Sequence, residues 1–247
     1  MVAKTGKRDG DPLVRQRQEA GTPSAVSDVA AFLQKASETL EPEKRGRLIF
    51  ALDATMSRQP TWDQACHIQS EMFQEAGKIA DLQIKLVYFR GFGECRASRW
   101  FSSGAELAAV MNRISCQGGR TQIGKVLTAA LKSAQEEKIA ALVYVGDCME
   151  EDVDALCDKA GQLGMLGVPV FLFQEGRDSV AEKAFREISR LTNGAYCRFE
   201  AGAAQQLADL LKAVAVYASG GRKALQQLER QGGRGARLLL SQLPGSG

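Results

Sequence analysis

The sequence predicts an α/β fold, a doubly wound and mostly parallel six-stranded sheet with one antiparallel edge strand and helices on both faces. Short apolar runs alternate with amphipathic helical stripes, which is typical of βαβ units and a parallel sheet. The runs at 82–92 and 95–103 are separated only by Gly93 and its neighbours, a hairpin too short for a parallel crossover. The length of 247 residues suits one α/β domain with short tails.

The chain begins with two segments that precede the predicted sheet. Residues 1–23 contain almost no large apolar side chain, so burial cannot offset the entropy of ordering them, and we expect a disordered tail. Residues 24–40 place apolar side chains at helical spacing behind Ser24 or Ser27 as a cap. The prediction is a domain over 24–219 with its core at 47–217, preceded by this amphipathic helix.

Strands and helices alternate through the predicted core. Strands are predicted over 47–54, 82–92, 95–103, 140–147, 168–176 and 195–199. Helices are predicted over 62–80, 105–114, the second part of 118–137, 153–166, 180–194 and 204–219. We expect the last helix to stop at Gly220 and Gly221 and to be followed by a second helical stretch over 223–230. Residues 220–247 carry five basic residues against the single acidic Glu229, and we interpret them as a basic, Gly/Arg-containing, solvated tail.

Composition excludes several broad classes of protein. The 32 basic and 29 acidic residues give a formal net charge of +3, which indicates neither a nucleic-acid-binding nor a membrane-surface protein. The six cysteines form no CxxC pair, and the first residues have no apolar export segment, so we expect reduced thiols and a cytoplasmic location. No apolar run approaches the roughly 20 residues of a membrane span.

The stretch GGRTQIGKVL is one residue short of a phosphate-binding loop. Gly119 is followed at the right interval by Gly124 and Lys125, but Val126 stands where a hydroxyl should coordinate magnesium. A working loop leaves a strand and opens into a helix, whereas the segment before Gly119 has a helical pattern. We therefore interpret Lys125 as an exposed helix residue and expect no nucleotide hydrolysis.

A second set of polar residues lies where two predicted strands end. Asp53 ends the first strand and is followed by Thr55 and Ser57, so a carboxylate and two hydroxyls stand at alternate positions. Asp147 ends the strand at 140–147. In an open sheet whose strand order reverses between these two strands, ligands collect beyond their carboxyl ends, and both aspartates would face that crevice.

DATMS at 53–57, Thr121 in GGRT and Asp147 in VYVGD together resemble the metal-ion-dependent adhesion site (MIDAS) of von Willebrand factor type A (VWA) domains. The resemblance covers about 47–217. The usual first motif of that family is DxSxS, and Thr55 keeps the hydroxyl of the first serine while adding a methyl group. The usual Asp-Gly is Asp147-Cys148 here, which changes the rim of the site.

The resemblance implies a ligand set and a function. Ser57 and Thr121 would bind the metal directly, Asp53 and Asp147 would act through water, and Thr55 would fill the first hydroxyl position. Such oxygen ligands favour Mg²⁺, with Mn²⁺ or Ca²⁺ next. The implied protein is a bacterial-type, non-enzymatic binding module whose metal accepts an Asp or Glu side chain from a partner protein, and the resemblance suggests an ATPase or chaperone component as that partner.

Alternatives remain open at the level of the sequence. Each motif alone also fits a helix cap or a turn. An enzymatic alternative is a Mg²⁺-dependent phosphate or nucleotide hydrolase that uses Asp53, Asp147 and the Gly119 loop. A third is a metal-free scaffold, or an RNA-associated protein that uses residues 220–247, although this segment lacks aromatic side chains for stacking on bases.

The remaining polar candidates have simpler interpretations. His67, the only histidine, lies between acidic residues at helical spacing and is interpreted as ion-paired and solvated. Glu150, Glu151 and Asp152 are interpreted as acidic residues that complement a helix dipole. Cys148 is interpreted as a small buried side chain without thiol activity.

Overall fold

The computed structural model describes Met1 and residues 46–60, 82–200 and 203–244. The chain divides into two units, Met1–Glu43 and Lys44–Gly247, and the fold below belongs to the second. The predicted tail at 1–23 and the helices at 24–40 and 62–80, with His67, lie outside the described residues.

Six strands form one mixed sheet, which confirms the predicted fold class. The strands are β1 (Gly46–Asp53), β2 (Leu82–Arg90), β3 (Glu94–Phe101), β4 (Ala141–Gly146), β5 (Val170–Glu175) and β6 (Ala195–Phe199). Their order is β3-β2-β1-β4-β5-β6. All neighbours are parallel except β2 and β3, which form the expected antiparallel hairpin at one edge. The order reverses at β1 and β4, so their carboxyl ends flank the switch point of the sheet.

Helices cover both faces of the sheet. In chain order they are α1 (Gly104–Met111), α2 (Ile123–Glu136), α3 (Val153–Met165), α4 (Ser179–Leu191), α5 (Ala204–Arg230) and α6 (Arg234–Leu240). Side chains of β1 alternate between the two layers, with Phe50 packing on the face of α1, α5 and α6 and Ile49 on the face of α2, α3 and α4. Both cores are apolar, so the parallel strands at the centre are buried on both sides.

The C-terminal segment is folded, and its interpretation as a solvated tail is wrong for residues 220–244. The expected helix stop is a bend inside α5, where Gly221 adopts φ 64° and ψ −162° and the helix then resumes. Beyond the bend, Leu225 and Leu239 have no exposed surface. Apolar side chains at helical spacing in this segment complete the layer over one face of the sheet.

The same segment also protects the outer edge of the sheet. The Gln242 side-chain amide accepts from Tyr196 N at 3.0 Å and donates to Tyr196 O at 2.7 Å. One side chain thereby satisfies the two main-chain groups that Tyr196 would otherwise present at the edge of β6, which blunts an aggregation-prone edge. Among the described helices, none combines the length and the hydropathy that a membrane span requires.

Candidate metal centre

The carboxyl end of β1 holds a buried aspartate in a fixed orientation. Asp53 has no exposed surface, and its Oδ1 accepts a hydrogen bond from Thr55 N at 2.8 Å. The next residue is tied to the neighbouring strand, because Ala54 N donates to Phe89 O at 3.0 Å. Asp53 Oδ2 is buried and has no hydrogen-bond partner among the described residues. Burying a carboxylate oxygen without a partner costs free energy, so Asp53 Oδ2 marks a position suited to a hydrogen-bond donor or a cation.

The two hydroxyls of the first motif lie together in the turn after β1. Thr55 Oγ1 and Ser57 Oγ are 3.0 Å apart, and Thr55 is buried whereas Ser57 is exposed. Thr55 also forms an isolated parallel bridge with Gln117, which places this turn beside the 115–122 loop. The alternate spacing of Asp53, Thr55 and Ser57 therefore gathers three oxygen-bearing side chains in one turn.

The carboxyl end of β4 brings a second carboxylate and a thiol to the same place. Ligand atoms of Asp53, Asp147 and Cys148 all lie within 4.8 Å of one another. Asp147 Oδ1 is buried and, like Asp53 Oδ2, lacks a hydrogen-bond partner within the described part of the chain. The pairing of β1 with β4 accounts for this proximity, since both residues follow adjacent parallel strands.

Thr121 is held by the loop that follows Asp147. Its amide donates to Glu150 Oε2 at 3.1 Å, and its Oγ1 accepts from Glu150 N at 3.0 Å. These reciprocal bonds join the loop before α2 to the loop after β4. Thr121 Oγ1 retains a second lone pair, so the hydroxyl can still act as a ligand. Both of these hydrogen bonds are with Glu150, and neither involves an aspartate.

Glu151 occupies the amino end of α2. Its Oε2 accepts from Gly124 N at 2.9 Å, and its Oε1 accepts from Ile123 N. These are the amides that a phosphate-binding loop would offer to a phosphate, and a carboxylate already holds them. Lys125 Nζ donates to Gly93 O and Gln122 Oε1, both at 2.8 Å. The segment before this loop is the helix α1, as the sequence indicated.

The acidic run after Asp147 serves three places rather than one helix start. Only Asp152 caps α3, through a 2.8 Å hydrogen bond from Ala155 N to its Oδ1. Glu150 binds Thr121 and Glu151 caps α2, so the interpretation of all three as dipole partners of their own helix is wrong for these two. Both contacts span nearly thirty residues, and local sequence carries no signal for them.

A buried arginine lies beside the aspartates. Arg58 is 1% exposed and forms an ion pair with Glu175 at the end of β5. Burial lowers the pKa of Arg58, while the negative charges of Asp147 and Asp53 raise it. Neither residue of this pair was among the predicted site residues. Glu175 had a detectable signal, since it ends a parallel strand next to β4 as Asp147 does. Arg58 had no such signal, because an arginine in a short polar segment after Ser57 is usually an exposed turn residue.

Burial and charge raise the pKa of Asp53 to about 6. Desolvation is the main cause, hydrogen bonds from Thr55 oppose it, the charge of Asp147 adds to it and Arg58 lowers it. Tyr144 lies beneath the site with its hydroxyl buried and unpaired in the described chain. Burial and the charge of Asp53 raise its pKa well above the usual value. The two aspartates and Glu175 carry more negative charge than the single Arg58 can balance, and Arg58 is already paired with Glu175.

The donor set fits a divalent cation. Asp53 and Asp147 each keep one buried carboxylate oxygen that has no partner among the residues the structure describes, and the hydroxyls of Thr55 and Ser57 lie in the turn after Asp53. A cation between the carboxylates would offset both their desolvation and their mutual repulsion. Carboxylate and hydroxyl oxygens are ligands that hard cations such as Mg²⁺ prefer.

Comparison with known proteins supports the fold. No protein-family model and no curated protein matches the chain. A von Willebrand factor type A structure from Catenulispora acidiphila matches with a TM-score of 0.57 and 14% identity, covering 72% of this chain and 43% of that chain. This chain thus corresponds to less than half of that structure's length.

Two further structures match over most of their own length. The SpRpn10 VWA domain has a TM-score of 0.52 and 11% identity, covering 69% of this chain and 93% of that chain. An aerotolerance-related membrane protein from Bacteroides fragilis, which carries multiple mutations to serines, has a TM-score of 0.51 and 19% identity, covering 66% of this chain and 96% of that chain. The chain therefore has the fold of von Willebrand factor type A domains.

Proposed function

We propose that this protein is a Mg²⁺-dependent protein-binding module that captures an acidic side chain of a partner at a MIDAS-type site. The observation that carries the proposal is a pair of buried carboxylate oxygens, one each from Asp53 and Asp147, that lack a partner in the described part of the chain and lie at the switch point of a VWA fold. When bound, the ion would supply a Lewis-acidic position that accepts a carboxylate oxygen. Mn²⁺ or Ca²⁺ would serve in place of Mg²⁺.

The residues of the chain would divide the work between them. Ser57 and Thr121 would contribute hydroxyl ligands, Asp53 and Asp147 would hold the ion through water, and Thr55 would orient Ser57 through their 3.0 Å contact. Glu150 would fix Thr121 by its two hydrogen bonds. Few charged groups would then touch the ion, which would keep positive character and favour an anionic partner group.

A nucleotide hydrolase is the weaker candidate. The amides of Ile123 and Gly124 already bind the carboxylate of Glu151, and Lys125 is engaged by the β2–β3 turn. A phosphate at this helix end would have to displace a carboxylate fixed by two main-chain donors. We therefore propose partner binding without catalysis, with an ATPase or chaperone component as the partner class that the resemblance suggests.

The test is capture of a partner by the immobilised full chain, followed by calorimetry with that partner in Mg²⁺ and in EDTA. Linkage requires the ion and the partner carboxylate to strengthen each other's binding, typically by about 1–3 kcal/mol. We expect affinity to fall in EDTA, and to fall equally when the captured acidic residue is changed to its amide. Equal affinities in both buffers would contradict metal-dependent capture and leave a metal-free scaffold.

A further inference from the structure

The thiol of Cys148 is part of the same cluster as the two carboxylates. Its Sγ lies within 4.8 Å of a carboxylate oxygen of Asp53 and of Asp147. The side chain is half-buried and the cysteine is free. Sulfur thereby enters a site that the sequence motifs describe with oxygen ligands alone.

A nucleophilic role does not suit this thiol. Burial, the negative charges of Asp147 and Asp53 and a hydrogen bond to Asp147 together raise the pKa of Cys148 to about 12. Reactive cysteines have the opposite surroundings, with positive charge and a lowered pKa. The two carboxylates within 4.8 Å of the thiol would attract a cation, and a metal ion deprotonates a thiol that coordinates it.

A second observation points independently to a ligand. Asp53 has no exposed surface, yet its Oδ2 has no hydrogen-bond partner in the described ranges, and the same holds for the buried Oδ1 of Asp147. Two oxygens and one sulfur are therefore available to one ion. Three protein ligands with a fourth position open is a pattern that Zn²⁺ adopts, whereas Mg²⁺ seldom takes sulfur.

We propose that Cys148 is a direct ligand of the metal at this site, and that the site binds Zn²⁺ more tightly than Mg²⁺. The inference rests on the site of the proposed function and changes its ion selectivity. On binding, the S–H bond of Cys148 breaks, a metal–sulfur bond forms, and the proton is released to solvent. With Zn²⁺, Asp53 and Asp147 would each bind the ion directly through one oxygen instead of through water, and the open position would stay available for a partner carboxylate.

The experiment uses Co²⁺ as a spectroscopic probe for Zn²⁺ in the full-length, reduced protein. We expect a near-ultraviolet sulfur-to-cobalt charge-transfer band that saturates with one Co²⁺ per chain and disappears when Zn²⁺ is added. Mg²⁺ should remove the band only at concentrations at least about 100-fold higher than Zn²⁺. Cys148→Ser should abolish the band and weaken Zn²⁺ binding by at least about tenfold, the lower end of the loss for an outer-shell partner.

Two controls separate this site from other thiols. Cys157→Ser changes a half-buried cysteine on α3 and should leave the band intact. Cys66→Ser removes the thiol next to His67, the only histidine in the chain, and should also leave it intact. Cys148→Ala serves as a second variant, and circular dichroism establishes that each variant is folded.

The possible outcomes distinguish failure of the Cys148 proposal from failure of the proposed function. Co²⁺ binding without the band, or a band that survives in Cys148→Ser, overturns the role of Cys148. A protein that binds Mn²⁺ but neither Co²⁺ nor Zn²⁺ also overturns the role of Cys148, while the proposed oxygen-ligated site remains supported. If neither Mn²⁺ nor Co²⁺ binds, both proposals fail.

Discussion

Asp53→Asn is expected to stabilise the metal-free protein at neutral pH. Asparagine keeps an Oδ1 for the 2.8 Å hydrogen bond from Thr55 N but cannot ionise. In the folded protein the pKa of Asp53 is raised from 3.8 to about 6, because the group is buried and lies near Asp147. Ionising Asp53 at pH 7 therefore costs the folded state more than the unfolded chain.

The magnitude follows from that shift. About two pKa units, at 1.36 kcal/mol each, correspond to about 3 kcal/mol of stability at pH 7. For a chain of this length, this raises the melting temperature by about 6–12 °C. Because the folded-state pKa is the higher one, folding takes up a proton between about pH 4 and pH 6, and wild-type stability falls as pH rises through that window. The variant has no such dependence, so its advantage vanishes below about pH 4.

The assay is thermal and urea unfolding in EDTA from pH 4 to pH 7, with circular dichroism as the measure of unfolding. Asp158→Asn is the matched control, since Asp158 is an exposed aspartate on α3 and the same substitution there should change little. Adding Mn²⁺ should reduce the difference in stability between Asp53→Asn and the wild type, because a cation stabilises the wild-type carboxylate and not the amide. Destabilisation by Asp53→Asn at pH 7 in EDTA, or a gap that does not change with pH, would refute the reasoning.

Three further predictions follow from contacts around the site. Glu175→Gln should destabilise the protein by about 3–5 kcal/mol in urea unfolding because it removes a carboxylate charge that pairs with the buried Arg58, and a loss below about 1 kcal/mol would contradict this. Lys125→Ala should lower stability by at most about 1.5 kcal/mol and leave Mn²⁺ affinity unchanged, and ATP turnover that this change abolishes would overturn the assignment. Removal of 220–247 should destabilise the protein by about 5 kcal/mol or more, since it deletes three buried leucines and exposes the core that they cover, and an unchanged melting temperature would argue against their packing.

The sheet could be predicted from the sequence because its signals are local. Apolar runs ending in Asp53 and Asp147 indicated strands, and the short connection near Gly93 indicated the hairpin. Adjacent parallel strands then bring their ends together, so the proximity of the two aspartates followed from topology. The structure places these carboxylates in one cluster, while the role of the cluster in metal binding stays a prediction.

What sequence reasoning missed depends on contacts between distant residues. The Arg58–Glu175 pair joins positions 117 residues apart. The cap that Glu151 gives α2 crosses 27 residues to Gly124. At the C-terminal end, the Gly220–Gly221 pair was interpreted as a stop because a glycine pair ends many helices. The structure instead uses the positive φ of Gly221 for a bend that returns the following leucines to the core.

The glycine at position 119, which partly matches a phosphate-binding motif, has a packing role in the structure. A Cβ at Gly119 would stand 2.0 Å from Gly91 O, so glycine is required there by the close approach of the β2–β3 turn. Arg120 N and the Gln122 side chain also bind Gly91 O, at 3.3 and 3.2 Å. The glycine thus serves packing of the loop that carries Thr121, and phosphate binding is not needed to explain it.

The most direct test of the central claim is a titration of the full chain with Mn²⁺, in which binding is measured as the loss of the electron paramagnetic resonance signal of the free ion. We predict one ion per chain with a dissociation constant of about 10⁻⁴–10⁻³ M, as for sites with few charged ligands. Asp53→Asn and Thr121→Val should abolish the binding, whereas Asp158→Asn and Thr128→Val, the same changes at exposed positions, should leave it intact. No binding by the wild type, or equal binding by all five proteins, would contradict a metal centre at the ends of β1 and β4.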